Sequence, residues 1–329
     1  MNGKIVKVVL AAAILAANFA HAAQDATPIK LRFGHSGAPD DTQQVAALEF
    51  AKRVKARTNG AIEIQVFPSS MLGNDGSMLS GTRAGTIDMV VLGNPFYTGL
   101  VSSLNALDLP YQFDNAQHLY RVLDGKVGRA LLDEFDGYQL KGLAFWDLGF
   151  RALANSKRPV RNAADIKGLK IRTTPNAAHI KAFQLLGASP QPMPWGEVYP
   201  ALESKAIDGH ETPVDTMYAA KMYEVQKYLS LTRHAYTALP VVMNKKRFDS
   251  LTPEQQKILV EEAVATATFQ RDYNSRRERE AIDGMRAKGV EVVEDPDIDS
   301  ISKIVKDETR AMFAEKHGDT LLKAIDAAK

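Results

Sequence analysis

A helical pattern of unusual length lies near the end of this chain and limits what the chain can fold into. Thr252 and Gln255 form a capping box around a proline at the first helical position, and helical spacing continues to about Lys288. At a rise of about 1.5 Å per residue, one such helix would be longer than a small domain is wide. The pattern predicts a single helix that braces two domains, which we favour over two helices with a break near Asn274 and Ser275.

Strands and helices alternate through the rest of the chain. Apolar residues recur at every second position over 29–33, at helical spacing over 42–57, and again at every second position over 62–66. A strand, a helix and a strand in that order favour a parallel pair with a right-handed crossover. The chain has 329 residues, which is room for about two domains, so we predict an α/β protein with two domains.

The remaining elements are assigned from the same two spacings. Further helices are predicted over 77–84, 119–135, 163–167, 177–186, 195–202, 217–225, 301–316 and 321–328. Further strands are predicted over 87–92, 143–146, 169–172, 206–208, 228–231, 240–243 and 290–293.

The first 22 residues have the pattern of an export signal. Lys4 and Lys7 precede an apolar run from Val8 to Ala17, and Ala20-His21-Ala22 is a cleavage site with small residues on both sides of a histidine. The run is shorter than the ~20 residues of a transmembrane helix, and no later stretch is long and charge-free enough to span a membrane. We expect a signal peptide over 1–22, cleavage after Ala22, and a periplasmic protein that does not itself span a membrane.

The composition excludes several kinds of chemistry. Without cysteine, the chain has no cysteine-ligated zinc, iron–sulfur cluster, thiol nucleophile or disulfide. Its net charge of +2 falls to near zero once Lys4 and Lys7 are removed, so nucleic acid is not an expected partner. No GxSxG, Walker A or strand-linked GxGxxG motif is present, and His210-Glu211 lacks the second histidine of a zinc-protease motif. Nothing in the sequence argues for an enzyme, a metal or a cofactor.

Two arginines at the ends of predicted strands indicate an acidic ligand. Arg172 ends the strand over 169–172, and Arg151 follows the strand over 143–146. Ligands of α/β sheets bind at the carboxyl ends of strands, and a guanidinium can pair with a carboxylate through two hydrogen bonds. Trp195, at a predicted helix start, could cover a sugar or an aliphatic chain. The alternatives are surface salt bridges for the arginines and a core position for the tryptophan.

Other polar residues are assigned structural roles at this point. Four carboxylates lie near glycine or threonine, which favours turns and caps: Asp75, Asp88, Asp208 and Glu211. Three histidines without metal-ligand spacing are expected to be surface or hydrogen-bonded residues: His118, His179 and His317.

Several short stretches, taken in order, resemble one family. They are Phe33-Gly34-His35, Val66-Phe67-Pro68, LGND at 72–75, GTIDM at 85–89, LDLP at 107–110, GLKIR at 168–172, Trp195 with EVY at 197–199, IDGHETP at 207–213 and VMN at 242–244. Their order and spacing over 31–321 are similar to the DctP-type solute-binding proteins of tripartite ATP-independent periplasmic (TRAP) transporters. The resemblance implies an α/β, two-lobed, periplasmic-binding-protein-like fold with a long helix bracing both lobes. Domain I would comprise 27–149 plus 238–278, and domain II 150–237 plus 279–329.

The resemblance also implies a function. It implies a receptor that captures an organic acid through an arginine–carboxylate clamp, closes around it, and delivers it to an ion-coupled membrane permease. The acid would be a sugar acid, such as a uronate or an aldonate, or a C4-dicarboxylate. The alternatives are a receptor that feeds a sensor kinase and an exported enzyme that acts on sugar acids.

The family's ligand-binding positions fall on particular residues of this chain. The carboxylate clamp falls on Arg172, the second ligand arginine on Arg151, the stacking aromatic on Trp195, and the usual asparagine on Thr212, which donates one hydrogen bond. Further residues expected near the ligand are Ser36, Asp75, Asn94, Phe96, Thr174, Asn176, Glu211, His234 and Tyr236.

Overall fold

The structure, a computed structural model, describes residues 27–329, so the predicted signal peptide lies outside the described residues. Its strands are β1 (Ile29–Gly34), β2 (Ile62–Phe67), β3 (Met89–Val91), β4 (Leu140–Asn155), β5 (Lys170–Thr173), β6 (Ser189–Pro192), β7 (Gly209–Pro213), β8 (Tyr228–Ser230), β9 (Tyr236–Asn244) and β10 (Glu291–Val293).

The α-helices are α1 (Thr42–Arg57), α2 (Asp75–Ala84), α3 (Ala116–Asp124), α4 (Lys126–Asp133), α5 (Ala177–Leu185), α6 (Val198–Glu203), α7 (Val214–Ala219), α8 (Lys245–Asp249), α9 (Pro253–Ala287), α10 (Ile298–His317) and α11 (Thr320–Asp326). Short 3₁₀ turns cover Asn94–Phe96, Ser102–Leu107, Glu134–Tyr138, Ala163–Ile166, Trp195–Glu197 and Met222–Glu224. Over the described residues, no helix has the length and apolar character that crossing a bilayer requires.

One mixed sheet runs through the molecule in the order β2-β1-β3-β9-β4-β7-β5-β6, with β8 beside β4 and β10 beside β8. β1 and β2 are parallel, which confirms the predicted β-α-β unit. β9 is antiparallel to β3 and to β4, and β4 is antiparallel to β7. The long β4 therefore joins two halves of the sheet. Each half, together with its helices, forms a lobe: the first lobe comprises β1–β3, β9, α1–α4 and α8, and the second lobe comprises β5–β8, β10 and α5–α7.

Strand β4 crosses from one lobe to the other. Leu143 and Trp146 lie in the first-lobe core, whereas Ala152 and Ala154 lie in that of the second lobe. The sequence predicted only 143–146 as strand because polar residues and Gly149 interrupt the apolar run. At Gly149 the strand is irregular and φ is +121°, a value that favours glycine.

The core of the first lobe is built around Trp146. Its ring makes edge-to-face contacts with Phe33 and Phe50, at centroid distances of 5.9 and 5.7 Å. Its indole nitrogen donates to the Ala263 carbonyl of α9 at 2.8 Å. One side chain thus ties β1, α1 and β4 to the long helix.

The long helix α9 is continuous, as favoured from the sequence. The capping box at Thr252 is present, and the helix runs for 35 residues without a break. Its first half packs into the first-lobe core through Leu259 and Ala263, and its last turns pack into the second-lobe core through Ala281 and Met285. The helix therefore braces both lobes.

Gly284 marks the closest approach of α9 to the second lobe. A Cβ atom at this position would lie 2.5 to 2.9 Å from the ring of Tyr218. We expect Gly284→Ala to lower the free energy of unfolding by about 1–3 kcal/mol, measured by urea unfolding, although alanine is the better helix former. Gly76→Ala in α2 is the control, since its Cβ would meet only Asn74 Oδ1 at 3.7 Å and stability should hold or rise. Equal stability of Gly284→Ala and the wild type would show that the Tyr218 side chain can move away from the added methyl group at little cost.

Other predicted elements are also wrong in extent or type: the strand predicted over 240–243 begins at Tyr236, and the helix predicted over 163–167 is a 3₁₀ turn. The helix predicted over 119–135 is divided into α3 and α4 at Gly125, and a 3₁₀ turn follows. The strand predicted over 206–208 is a turn, and β7 begins at Gly209, because the polar sequence of β7 hid a fully buried strand. The helix predicted over 217–225 begins earlier, at Val214, and ends at Ala219.

The last two helices lead the chain from the second lobe back to the first lobe. Ile301 and Val305 of α10 lie in a second-lobe core cluster, whereas Leu322 and Ile325 of α11 lie in the first-lobe core. His118 of α3 hydrogen-bonds the Ile325 carbonyl at 2.9 Å. The predicted division assigned all of 279–329 to domain II. By packing, the end of the chain lies against the first lobe, because Leu322 and Ile325 share a core cluster with the apolar residues of α3.

Candidate functional site

A cavity lies at the boundary between the lobes, lined by residues of β4, β7 and β9, and it encloses about 420 Å³ of empty space when its open mouth is included. Seven of the predicted site residues line the cavity: Ser36, Phe96, Arg151, Arg172, Thr174, Trp195 and Thr212. Both lobes contribute to the wall, so a bound molecule would touch both.

Arg172, at the end of β5, is a buried cation without a carboxylate partner in the described chain. The residue is 1% exposed, and its Nε and Nη2 atoms donate to the Met193 carbonyl at 3.1 and 2.8 Å. Its guanidinium lies 5.6 Å from the centre of the Trp195 ring. Burial lowers the pKa of Arg172 to about 10, so the group stays charged at neutral pH. Its Nη1 atom donates to none of the described residues, and an anion in the cavity would complete the site.

Arg151, on β4, already has a carboxylate partner. Its Nε and Nη2 atoms donate to the two carboxylate oxygens of Glu211 on β7, the second at 2.9 Å, and Nη1 donates to Thr237 Oγ1 at 2.6 Å. His234 Nε2 lies 3.2 Å from Glu211 Oε2. Burial alone would raise the pKa of Glu211, but Arg151 and His234 hold it well below its usual value. The pair is neutral as a whole, and Glu211 is a buried countercharge instead of the expected turn residue.

The histidines near the site do not add positive charge. Burial lowers the pKa of His179 and of His210 to about 3. Among the described residues that line the cavity, Arg172 is therefore the one charged group without a partner. The electrostatics of the cavity match a ligand with a single negative charge.

Neutral polar groups make up much of the remaining wall. Thr212 and Thr216 line the cavity and contribute hydroxyl groups to its wall. Gln43 also lines it, and its buried Oε1 has no hydrogen-bond partner in the described chain. Phe96 and Trp195 supply aromatic surface. These groups suit a chain of hydroxyl groups beside the carboxylate.

Sequence reasoning missed part of this wall. Gln43, Thr216 and Thr237 line the cavity but were not predicted. The period of two in β9 could have indicated Thr237, once the strand was known to extend to Tyr236. Gln43 and Thr216 lie two and three residues after helix caps, and nothing in their local sequence distinguishes them.

The other six predicted residues lie behind the wall: Asp75, Asn94, Asn176, Glu211, His234 and Tyr236. Asp75 accepts a hydrogen bond from the Ser36 hydroxyl at 2.8 Å. Asn94 and Asn176 both donate to Asp108 Oδ2 at 2.9 Å.

Glu211 and Tyr236 are neighbours in sequence of the lining residues Thr212 and Thr237, so strand alternation turns them to the opposite face. The six residues thus support the cavity wall without lining it. The family positions alone do not show which residues line the wall and which support it. Asp88 and Asp208 differ from their expected turn or cap roles as well, since each accepts from a backbone N–H of a neighbouring strand at 2.8 Å.

Within residues 27–329, no three His, Asp or Glu side chains are grouped so that they could hold a metal ion.

Comparison with known proteins gives a consistent result. A family model described as bacterial extracellular solute-binding protein, family 7 (DctP) matches residues 33–316. The 2,3-diketo-L-gulonate-binding periplasmic protein YiaO of Escherichia coli is 44% identical to this chain over 90% of it and 91% of YiaO.

Two solved structures resemble this chain closely. A TRAP periplasmic solute-binding protein from Polaromonas, bound to D-erythronate, has a TM-score of 0.89 and 33% identity over 91% of this chain and 99% of that one. The sugar acid-binding protein DctPAm from Advenella mimigardefordensis, in complex with galactonate, has a TM-score of 0.87 and 30% identity over 93% of this chain and 100% of that one.

Proposed function

The chain belongs to bacterial extracellular solute-binding protein family 7, and on this premise we propose that it is the receptor of a TRAP transporter, which binds an organic acid in the periplasm and delivers it to a membrane permease. The family predicted from the sequence and the two-lobed α/β fold are both confirmed. Relatives named as periplasmic binding proteins support export, for which we keep cleavage after Ala22 as the expected step.

The buried guanidinium of Arg172 carries this proposal. A cation removed from water is unfavourable unless an anion pairs with it. Arg172 has two donors fixed on Met193 and a free Nη1 atom at the cavity. A ligand carboxylate at this position would supply the missing charge.

We further propose that the ligand is a monocarboxylate with several hydroxyl groups, an aldonate or a related sugar acid, and that a C4-dicarboxylate binds less well. Arg151 is neutralised by Glu211, so a second carboxylate would enter the cavity without a cation to meet it. The neutral polar side chains of Gln43, Thr212 and Thr216 match hydroxyl groups better than a second charge. The relatives with bound erythronate and galactonate agree with this choice.

A panel of acids tests the proposal on the mature protein. D-Erythronate, D-galactonate and D-glucuronate should raise the Tm, because a ligand that binds only the folded state stabilises it. Galactose, which has no carboxylate, should give no shift, and succinate should bind at least about tenfold more weakly than the best sugar acid, since its second charge loses hydration without gaining a partner. The acids should be recovered unchanged, as expected for a receptor. A shift with galactose equal to that with galactonate would refute the carboxylate site.

A further inference from the structure

The lobes meet beside the ligand cavity through the N-terminal ends of two helices. Asp41 caps α1 in the first lobe, and Asp215 is the second residue of α7 in the second lobe. Gln43 and Thr216, one or two positions further along each helix, both line the cavity. The two carboxyl groups therefore lie at the edge of the ligand site, on opposite sides of the boundary between the lobes.

Each of these carboxyl groups is buried and only half satisfied. Asp41 is 1% and Asp215 is 6% exposed. Asp41 Oδ1 accepts from the Gln43 backbone N–H at 2.8 Å, and Asp215 Oδ1 accepts from Arg277 Nε of α9 at 3.1 Å. The Oδ2 atom of each has no hydrogen-bond partner in the described chain. If one of the two carboxyl groups is protonated, it can donate a hydrogen bond.

The charges around the pair do not compensate two carboxylates. Arg277 divides its guanidinium between Asp215 and Glu280, with Nη1 at 3.2 Å from Glu280 Oε2. The other titratable groups that face the pair are Tyr273 of α9 and the exposed Asp40. No cation of the described residues forms a salt bridge with Asp41, so Arg277 alone faces three carboxylates when Asp41, Asp215 and Glu280 are all ionised.

We propose that one proton, held between Asp41 and Asp215, keeps the two lobes closed, so that capture of the organic acid is accompanied by uptake of a proton. This inference rests on the receptor function proposed above. Two carboxyl groups from separate bodies that are buried together commonly share a proton. When the lobes separate, each group regains water, the repulsion disappears, and the proton is released.

The direction of the pH dependence follows from Asp41. Its burial, and to a smaller degree the charge of Asp215, raise the pKa of Asp41 to about 7, although the Gln43 N–H opposes this shift. In an open protein, exposed to water, the group would return towards its ordinary pKa of 3.8. Between these two values the closed protein binds more protons than the open one, so acid favours closure. With one proton linked, affinity for the ligand should be about tenfold higher at pH 6 than at pH 8.

Calorimetric titration with D-galactonate, in two buffers that differ in ionisation enthalpy, counts the protons taken up. The wild type should take up nearly one proton at pH 6. Asp41→Asn keeps a good helix cap and should take up none, with equal affinity at pH 6 and pH 8. Asp40→Asn removes the exposed neighbouring carboxylate and should behave as wild type. Equal affinity of the wild type at the two pH values, or unchanged uptake in Asp41→Asn, would overturn the proposal.

A measurement without ligand separates this inference from the receptor function. Without ligand and above pH 7, Asp41 is ionised and the wild type should be open, whereas acid should shift part of it to the closed form. The radius of gyration of the ligand-free wild type, measured by small-angle X-ray scattering, should therefore fall between pH 8 and pH 5, and that of Asp41→Asn should be the same at both pH values. A radius of gyration of the wild type that does not change with pH contradicts the shared proton. If no acid of the panel binds, the receptor proposal fails, and this comparison still decides the role of Asp41.

Discussion

Arg172→Met should remove organic-acid binding almost completely. In the variant, the ligand carboxylate would enter the cavity without a cation, since Arg151 is already paired with Glu211. Loss of one partner from a buried, hydrogen-bonded charge pair costs about 2–5 kcal/mol, so affinity for D-galactonate should fall by about a thousandfold. The ligand-free variant should be at least as stable as the wild type, because methionine replaces a buried charge that has no partner.

Calorimetric titration and thermal unfolding without ligand check the two halves of this prediction. Arg161→Met is the matched control, since Arg161 lies on the surface of the second lobe, with its side chain 63% exposed, and pairs with Glu291. The control should bind as the wild type does. Binding by Arg172→Met within tenfold of the wild type would mean that the carboxylate lies elsewhere in the cavity.

Glu211→Ala should cause the largest loss of stability. The substitution leaves the guanidinium of Arg151, which is 2% exposed, without its countercharge, and deprives His234 of its acceptor. Removing one partner of a buried ion pair destabilises a protein by about 3–5 kcal/mol. The midpoint of urea unfolding should shift to lower concentration by a corresponding amount.

A double variant identifies the cause of that loss. Arg151→Met combined with Glu211→Leu removes both charges and fills most of the space, so it should recover much of the stability lost by Glu211→Ala. If the double variant is as unstable as the single one, packing at Glu211 determines the cost, and the lone charge of Arg151 does not. Surface pairs such as Arg161–Glu291 should contribute little in the same assay.

The parts of the fold that the sequence predicted well are those with a local signal. The β1–α1–β2 unit and α9 follow from the spacing of apolar residues and from the capping box at Thr252. Strand β7 was placed wrongly because His210 and Glu211 are polar, although both are fully buried. The burial of Glu211 depends on its partner Arg151, which lies 60 residues earlier in the chain, and no local pattern encodes such a pair.

The sequence likewise predicted those residues of the candidate site that have a local signal and missed those that depend on distant contacts. Arg172 and Trp195 were found because a charged or aromatic residue at the end of an element is conspicuous, and both line the cavity. The sequence could not show that Arg151 is neutralised by Glu211, an observation that favours a ligand with one carboxylate over a ligand with two. It also could not separate residues that line the wall from residues one position away that support it, since that depends on the exact register of β7 and β9.

The return of the chain to its first lobe has a consequence for biosynthesis. The first-lobe core takes strands β1 to β3 from the start of the chain, β9 from its later part, and Leu322 and Ile325 from its end. A ribosome must therefore release almost the whole polypeptide before the first lobe can close its core. A nascent chain of this topology stays incompletely folded throughout synthesis, which keeps it able to pass as an extended polypeptide through a translocation channel.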